Sequence, residues 1–168
     1  MTPAAFDPLR ILDALRLHDV RFVLIGGFAG RLLGSPTVTN DLDLCYARDD
    51  RNLERLGAAL REIRARLRGV DEDAPFLLDA RTLAAGDAFT LVTDAGNLDV
   101  FGYPPGSGGY DALRLTAEIM EIDGHPVPVT AIDDLIRMKI AVGRPKDRIE
   151  VEILSALQEE IERGPDPD

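Results

Sequence analysis

The stretch Phe22 to Leu44, FVLIGGFAGRLLGSPTVTNDLDL, sets a double glycine, Gly26-Gly27, fourteen residues ahead of two aspartates, Asp41 and Asp43, spaced i, i+2. In Asp41-Leu42-Asp43-Leu44-Cys45-Tyr46 acidic and apolar residues alternate, and successive side chains on a strand point to opposite faces. Asp41 and Asp43 are therefore expected on one face and Leu42 and Leu44 on the core side, with the carboxylates roughly 6.5–7 Å apart. Aspartate is poorly suited to strands and like charges on one face repel, so the pair calls for a compensating cation. Read alone, the pair is equally the solvated side of an amphipathic strand. Hard oxygen ligands suit Mg²⁺ or Mn²⁺. A zinc site would draw on His and Cys, of which the chain has two and one.

Upstream, Arg21 to Ile25 is a short apolar run with β-branched members and reads as a buried strand. Gly26-Gly27 breaks it. Phe28, Ala29, Leu32 and Leu33 then give a short helical pattern that stops near Gly34-Ser35-Pro36. A glycine turn between strand and helix presents backbone N–H groups at the positive end of a helix dipole, where a phosphate can approach without meeting a Cβ. By itself a GG pair is also an ordinary structural turn. It has neither the GxGxxG spacing of a dinucleotide fold nor the GxxxxGK[ST] of a P-loop.

Taken together, Gly26-Gly27 followed by Thr39-x-Asp41-x-Asp43 resembles the nucleotidyltransferase superfamily of the polymerase-beta type. More narrowly, the pattern is similar to the minimal nucleotidyltransferases, including the toxins of abortive-infection type IV toxin–antitoxin pairs. The resemblance implies an α+β chain of nucleotidyltransferase-like fold, with a central mixed β-sheet flanked by helices. It also implies a third carboxylate on a later strand. Asn97-Leu98-Asp99-Val100-Phe101 supplies Asp99, with Leu98 and Val100 facing the other way. Asp94 competes for the role, but Asp94-Ala95-Gly96-Asn97 reads as a hairpin turn between two strands near Phe89 and Leu98.

On this resemblance Asp41, Asp43 and Asp99 are the catalytic and metal-binding residues, and Gly26, Gly27, Thr39 and Lys139 contact a nucleoside triphosphate. The implied reaction moves an NMP from an NTP to a hydroxyl of a protein, a tRNA or a small molecule, with Mg²⁺ or Mn²⁺ as cofactor and an antitoxin as a candidate partner. The alternative is a module of the same fold that binds nucleotide or a partner without turnover. Its motivation is Thr37, which stands in Pro36-Thr37-Val38-Thr39-Asn40-Asp41 where many relatives carry an arginine. Lys139 lies on a helix that Thr130-Ala131-Ile132-Asp133 would open as a capping box. Lys139 also reads as an ordinary cation near a helix C-terminus, as do Arg144 and Lys146, with Asp147 pairing locally.

The 168 residues, 45% hydrophobic, fit one domain over 1–163 with a disordered tail at 164–168. A net charge of −11 opposes broad DNA binding, which needs many phosphate-neutralising cations. Between Arg48 and Arg68 seven arginines face four acids, on a predicted helix whose stripe is Leu53, Leu56, Leu60, Ile63 and Leu67. Those arginines are either solvated or placed to meet an acidic partner or a tRNA end. With no membrane-length apolar run and no leader pattern, the chain is expected to be soluble and cytoplasmic. Cys45 reads as a small core residue. A first helix is expected over 8–18 and a hairpin around Asp123-Gly124. A short strand or helix is expected around Phe76–Leu78, and no chemistry is assigned to 69–87.

Overall fold

The structure, a computed structural model, describes residues 4–71 and 78–167. The element expected around Phe76–Leu78 lies mostly outside the described residues; Leu78 itself is buried in irregular structure. In chain order the elements are α1 (Pro8–Leu17), β1 (Phe22–Ile25), α2 (Gly26–Leu32), β2 (Asp41–Tyr46), α3 (Asp50–Glu62), β3 (Arg66–Leu67) and α4 (Ala80–Ala85). They continue as β4 (Ala88–Thr93), β5 (Gly96–Phe101), α5 (Tyr110–Thr116), β6 (Glu118–Ile122), β7 (His125–Val129), α6 (Ile132–Val142) and α7 (Pro145–Arg163).

The strands form one sheet in the order β3-β4-β5-β2-β1-β7-β6. Parallel pairing joins β2 to β5 and β1 to β7, and the remaining neighbours are antiparallel. The sheet is therefore mixed, and the chain is α+β. Alternation along the strands divides the core between two faces. Leu24, Leu42, Leu44, Tyr46, Leu98 and Val100 pack on one side with Ile11 and Leu15 of α1 and Leu53, Leu56 and Leu60 of α3. Val23, Ile25 and Cys45 face the other way, against Leu113 of α5 and Met138 of α6.

Local signals account for most boundaries. Asp7 caps α1, its carboxylate accepting from the Arg10 N–H at 3.2 Å, with Pro8 at the first helical position. Asp123 and Gly124, both at positive φ, turn β6 into β7 as a two-residue hairpin of that handedness requires. In the Asp94-Ala95 turn the Thr93 hydroxyl accepts from Ala95 N–H and donates to the Gly96 carbonyl.

Three expectations are corrected. The helix after the double glycine starts at Gly26 itself, with no intervening turn, because Gly26 takes φ +72° and lets the chain pass from β1 straight into α2. The arginine-rich helix ends at Glu62, where Arg64 at φ +53° closes it, and Leu67 belongs to the edge strand β3. The helix carrying Lys139 has no capping box: its N-cap is Ala131, and the Thr130 hydroxyl donates to the Ala131 carbonyl instead.

Asn52 joins the layers. Fully buried on α3, it accepts from Arg21 N–H at 2.7 Å and donates to the carbonyls of Arg21 and Ala47. It thus closes the open ends of β1 and β2 onto the helix. Asn52→Leu is expected to cost about 2–4 kcal/mol through the backbone groups it strands, read as a lower urea midpoint; a loss below about 0.5 kcal/mol would show that water replaces the side chain.

Candidate active site

The register of β2 on β5 decides the site. Asp43 lies opposite Asp99 and Asp41 opposite Asn97 in the parallel pair. All four side chains leave the sheet on the same face, on the opposite side from Leu42, Leu44, Leu98 and Val100, which are fully buried. The Asn97 amide donates to Asp41 at 3.3 Å. Asp94, the competing third carboxylate, sits in the hairpin turn, 3.9 Å from Arg64 and away from this face.

These carboxylates open into a cleft of about 360 Å³ that Gly26, Gly27, Thr39 and Lys139 also line. All seven residues singled out from the sequence are thus brought together. A second hollow of about 330 Å³, between α1 and the β6–β7 hairpin and lined by Leu9, Leu12, Phe22 and Pro126, holds none of them. At Gly26 the fit is tight: a Cβ there would fall 2.0 Å from the Asp43 carboxylate. A Cβ on Gly27 would lie 3.2 Å from Thr39. The glycines therefore let the start of α2 approach the strand that carries the acids.

Cations stand around the cleft in a definite frame. Lys139 on α6 lies 3.7 Å from Asp147, which is almost fully buried and is also gripped by Arg144, Nε to carboxylate 2.7 Å and Nη2 3.2 Å. Asp147 in turn accepts from the Arg144 backbone N–H, folding the start of α7 back on the end of α6. The hydrogen bonds from Arg144 hold the Asp147 carboxyl below its ordinary value. The local pairing expected of Asp147 is present, and it fixes the two cations at the rim.

Two features were not legible in the sequence. Arg68, just past β3, donates to Asp99 at 2.9 Å and to the Leu91 carbonyl at 2.7 Å. Its sequence neighbours gave no sign of this, because Arg68 and Asp99 meet only through the sheet order β3-β4-β5. The second is Glu150 of α7, buried at the cleft wall, which accepts from Ser35 Oγ at 2.8 Å and from Thr37 Oγ1 at 2.7 Å. Where an arginine would have brought a cation, Thr37 brings a hydroxyl that satisfies a buried carboxylate.

Charge in the cleft is only partly balanced. The Asp43 carboxyl is pushed up to about 7, first by burial, then by Asp99 and Asp41, with Lys139 acting the other way. Burial raises Asp99 as well, and Asp41 adds to this while Arg68 opposes it. The donor set, three carboxylates on one rigid face, is of the hard oxygen type that takes Mg²⁺ or Mn²⁺, and its uncompensated repulsion is what such an ion would relieve. Among the described residues no three such groups converge into a preassembled coordination shell.

No family model matches the sequence, and no curated protein matches it. Solved structures do. The lincosamide antibiotic adenylyltransferase LnuA, bound to lincomycin, superposes with a TM-score of 0.60 at 13% identity over 91% of this chain and 99% of its own. The antibiotic-resistance factor ANT(2'')-Ia gives 0.57 at 18% identity over 93% and 84%. An antigenic nucleotidyltransferase-like protein from Paracoccidioides brasiliensis gives 0.56 at 23% over 93% and 78%. The chain has the nucleotidyltransferase fold.

The raised Asp43 value has a consequence for stability. A carboxyl that holds its proton more tightly when folded costs nothing below the unfolded value of roughly 4, and its penalty grows to full size above the folded value. In metal-free protein Asp43→Asn should therefore stabilise by about 2–4 kcal/mol at pH 8, with the gain vanishing toward pH 4. Urea melts across that range check it, and a gain independent of pH would contradict it.

Proposed function

We propose that this protein is a nucleotidyltransferase that moves an NMP from an NTP to a hydroxyl group of an acceptor. The observation that carries the proposal is the parallel register that sets Asp43 beside Asp99, next to Asp41, in the same cleft as Gly26, Gly27 and Lys139. That arrangement on this fold supports a triphosphate site and a reacting hydroxyl side by side.

In this reading the triphosphate lies along Gly26 and Gly27, where Cβ-free backbone admits close approach, and Thr39 flanks it. Lys139, held at the rim by Asp147, neutralises phosphate charge on the leaving side. Asp41, Asp43 and Asp99 would hold Mg²⁺ or Mn²⁺, which supplies Lewis-acid stabilisation of the charge that develops on the phosphoryl oxygens. Asp99 accepts the proton of the acceptor hydroxyl as its oxygen attacks the α-phosphorus. The new P–O bond forms in line with the bond to the β-phosphate, which breaks, and pyrophosphate departs with the electron pair.

Among the acceptors that the resemblance implies, a small hydroxylated molecule suits this chain best. A net charge of −11 opposes a polyanion such as tRNA. ANT(2'')-Ia has been solved with adenylyl-2''-tobramycin and LnuA with lincomycin, which supports the same class of acceptor. Soluble, cytoplasmic residence is part of the same proposal; among the described residues no helix is long and apolar enough to cross a membrane.

A second reading, nucleotide binding without turnover, draws on Thr37, whose hydroxyl is committed to Glu150. The two readings part in one experiment: each of the four labelled NTPs is incubated with Mg²⁺ or Mn²⁺ and a panel of hydroxylated small molecules, and pyrophosphate release is followed. Turnover with one NTP is expected, with Asp43→Asn or Asp99→Asn lowering kcat at least about 1,000-fold and Lys139→Met raising KM for the NTP about tenfold. Metal-dependent NTP binding without pyrophosphate would favour the second reading.

A further inference from the structure

Among the described residues Arg68 is the only guanidinium bonded to Asp41, Asp43 or Asp99, and it reaches Asp99 from outside the motif-bearing elements. Its Nη2 divides between Asp99 Oδ1 at 2.9 Å and the Leu91 carbonyl at 2.7 Å. Its own backbone N–H is tied to the Thr90 carbonyl at 3.0 Å, which anchors the residue along β4. The Nε atom is buried with no hydrogen-bond partner, a cost that the ion pair has to offset. The partner in that pair, Asp99, is mostly buried. Lys139 and Arg144, by contrast, are bonded to Asp147 and not to Asp41, Asp43 or Asp99.

From this we infer that Arg68 is a built-in counter-ion for Asp99, which a divalent cation must outcompete before that carboxylate can serve as a ligand. The inference rests on the metal site of the proposed function and assigns Arg68 as a positioning residue acting through Asp99. Coulomb's law sets the direction. A fixed positive charge within hydrogen-bond distance of one ligand disfavours a second cation there, far more in a half-buried cleft than in water. Removing the guanidinium leaves three carboxylates without that local compensation and raises their appetite for a divalent ion. Arg68 would thus keep the acids from capturing metal until a triphosphate brings further negative charge into the cleft.

The test is Mn²⁺ titration followed by electron paramagnetic resonance, without nucleotide, on the full chain. Variants are Arg68→Met, which keeps the apolar stem, Arg68→Gln, which keeps a donor for the Leu91 carbonyl, and Arg68→Lys, which keeps the charge. Thermal melts accompany each variant. The expected result is Mn²⁺ binding at least tenfold tighter in Arg68→Met and Arg68→Gln and within threefold of the parent protein in Arg68→Lys. In an Asp99→Asn background the Arg68→Met effect should disappear. Unchanged or weaker Mn²⁺ binding in folded Arg68→Gln, or the same tightening with Asp99→Asn, overturns the inference while leaving the transferase reading intact. Tightening in a protein that transfers no nucleotide would uphold the inference and count against that reading. Absence of Mn²⁺ binding to every variant overturns the inference alone, since the transferase reading is tested separately by pyrophosphate release in the presence of an NTP.

Discussion

Three carboxylates are brought onto one face of two neighbouring strands by the parallel pairing of β2 with β5, and this pairing governs the rest of the site. The backbone permits no other outcome once Leu42 and Leu44, and Leu98 and Val100, are committed to the core on the reverse face. A shift of one residue in either strand would turn the acids into the core and the leucines into the cleft. Apolar burial therefore holds the acids in place against their own repulsion, and the Asp43 carboxyl is pushed up to about 7 first by burial and then by Asp99 and Asp41. Along each strand, residues that face the core alternate with residues that face the cleft.

Around this concentrated negative charge the fold arranges cations at graded distance. Arg68 is in contact with Asp99. Lys139 acts on Asp43 from α6 while its own ammonium is steadied by Asp147. Arg144 shares Asp147 at the junction where Gly143, in the left-handed conformation, ends α6 and Pro145 opens α7. One buried carboxylate thereby organises two basic residues, and the α6–α7 corner is a structural and an electrostatic element at once. Glu150 plays the complementary part on the next turns of α7, tying residues 35–37 to the helix through two hydroxyls.

Similarity to an antibiotic adenylyltransferase, an antibiotic-resistance factor and a nucleotidyltransferase-like protein lies in the fold. The Pro104-Pro105 segment after β5 also lines the cleft. Rigid prolines at that point restrict the shape of the cleft.

The sequence by itself determined the acidic strand, the glycine break and the hairpin turns, because each is written in a local pattern: alternation of period two, residues that permit positive φ, and polar turn chemistry; Asp99 is singled out only through the family resemblance. It misplaced the end of the arginine-rich helix, since Leu67 continues the apolar stripe in spacing although the chain has already turned into an edge strand. It also suggested a capping box at Thr130, a local signal overruled when Thr130 N–H is drawn to the Leu24 carbonyl as β7 pairs with β1. Only the tertiary structure decided that Arg68 meets Asp99, that Thr37 and Ser35 meet Glu150, and that Asp147 holds Lys139 beside Arg144. The first two contacts join residues 31 or more positions apart, and the third depends on the angle between two helices. Such contacts follow from sheet order and helix packing, which no local period encodes.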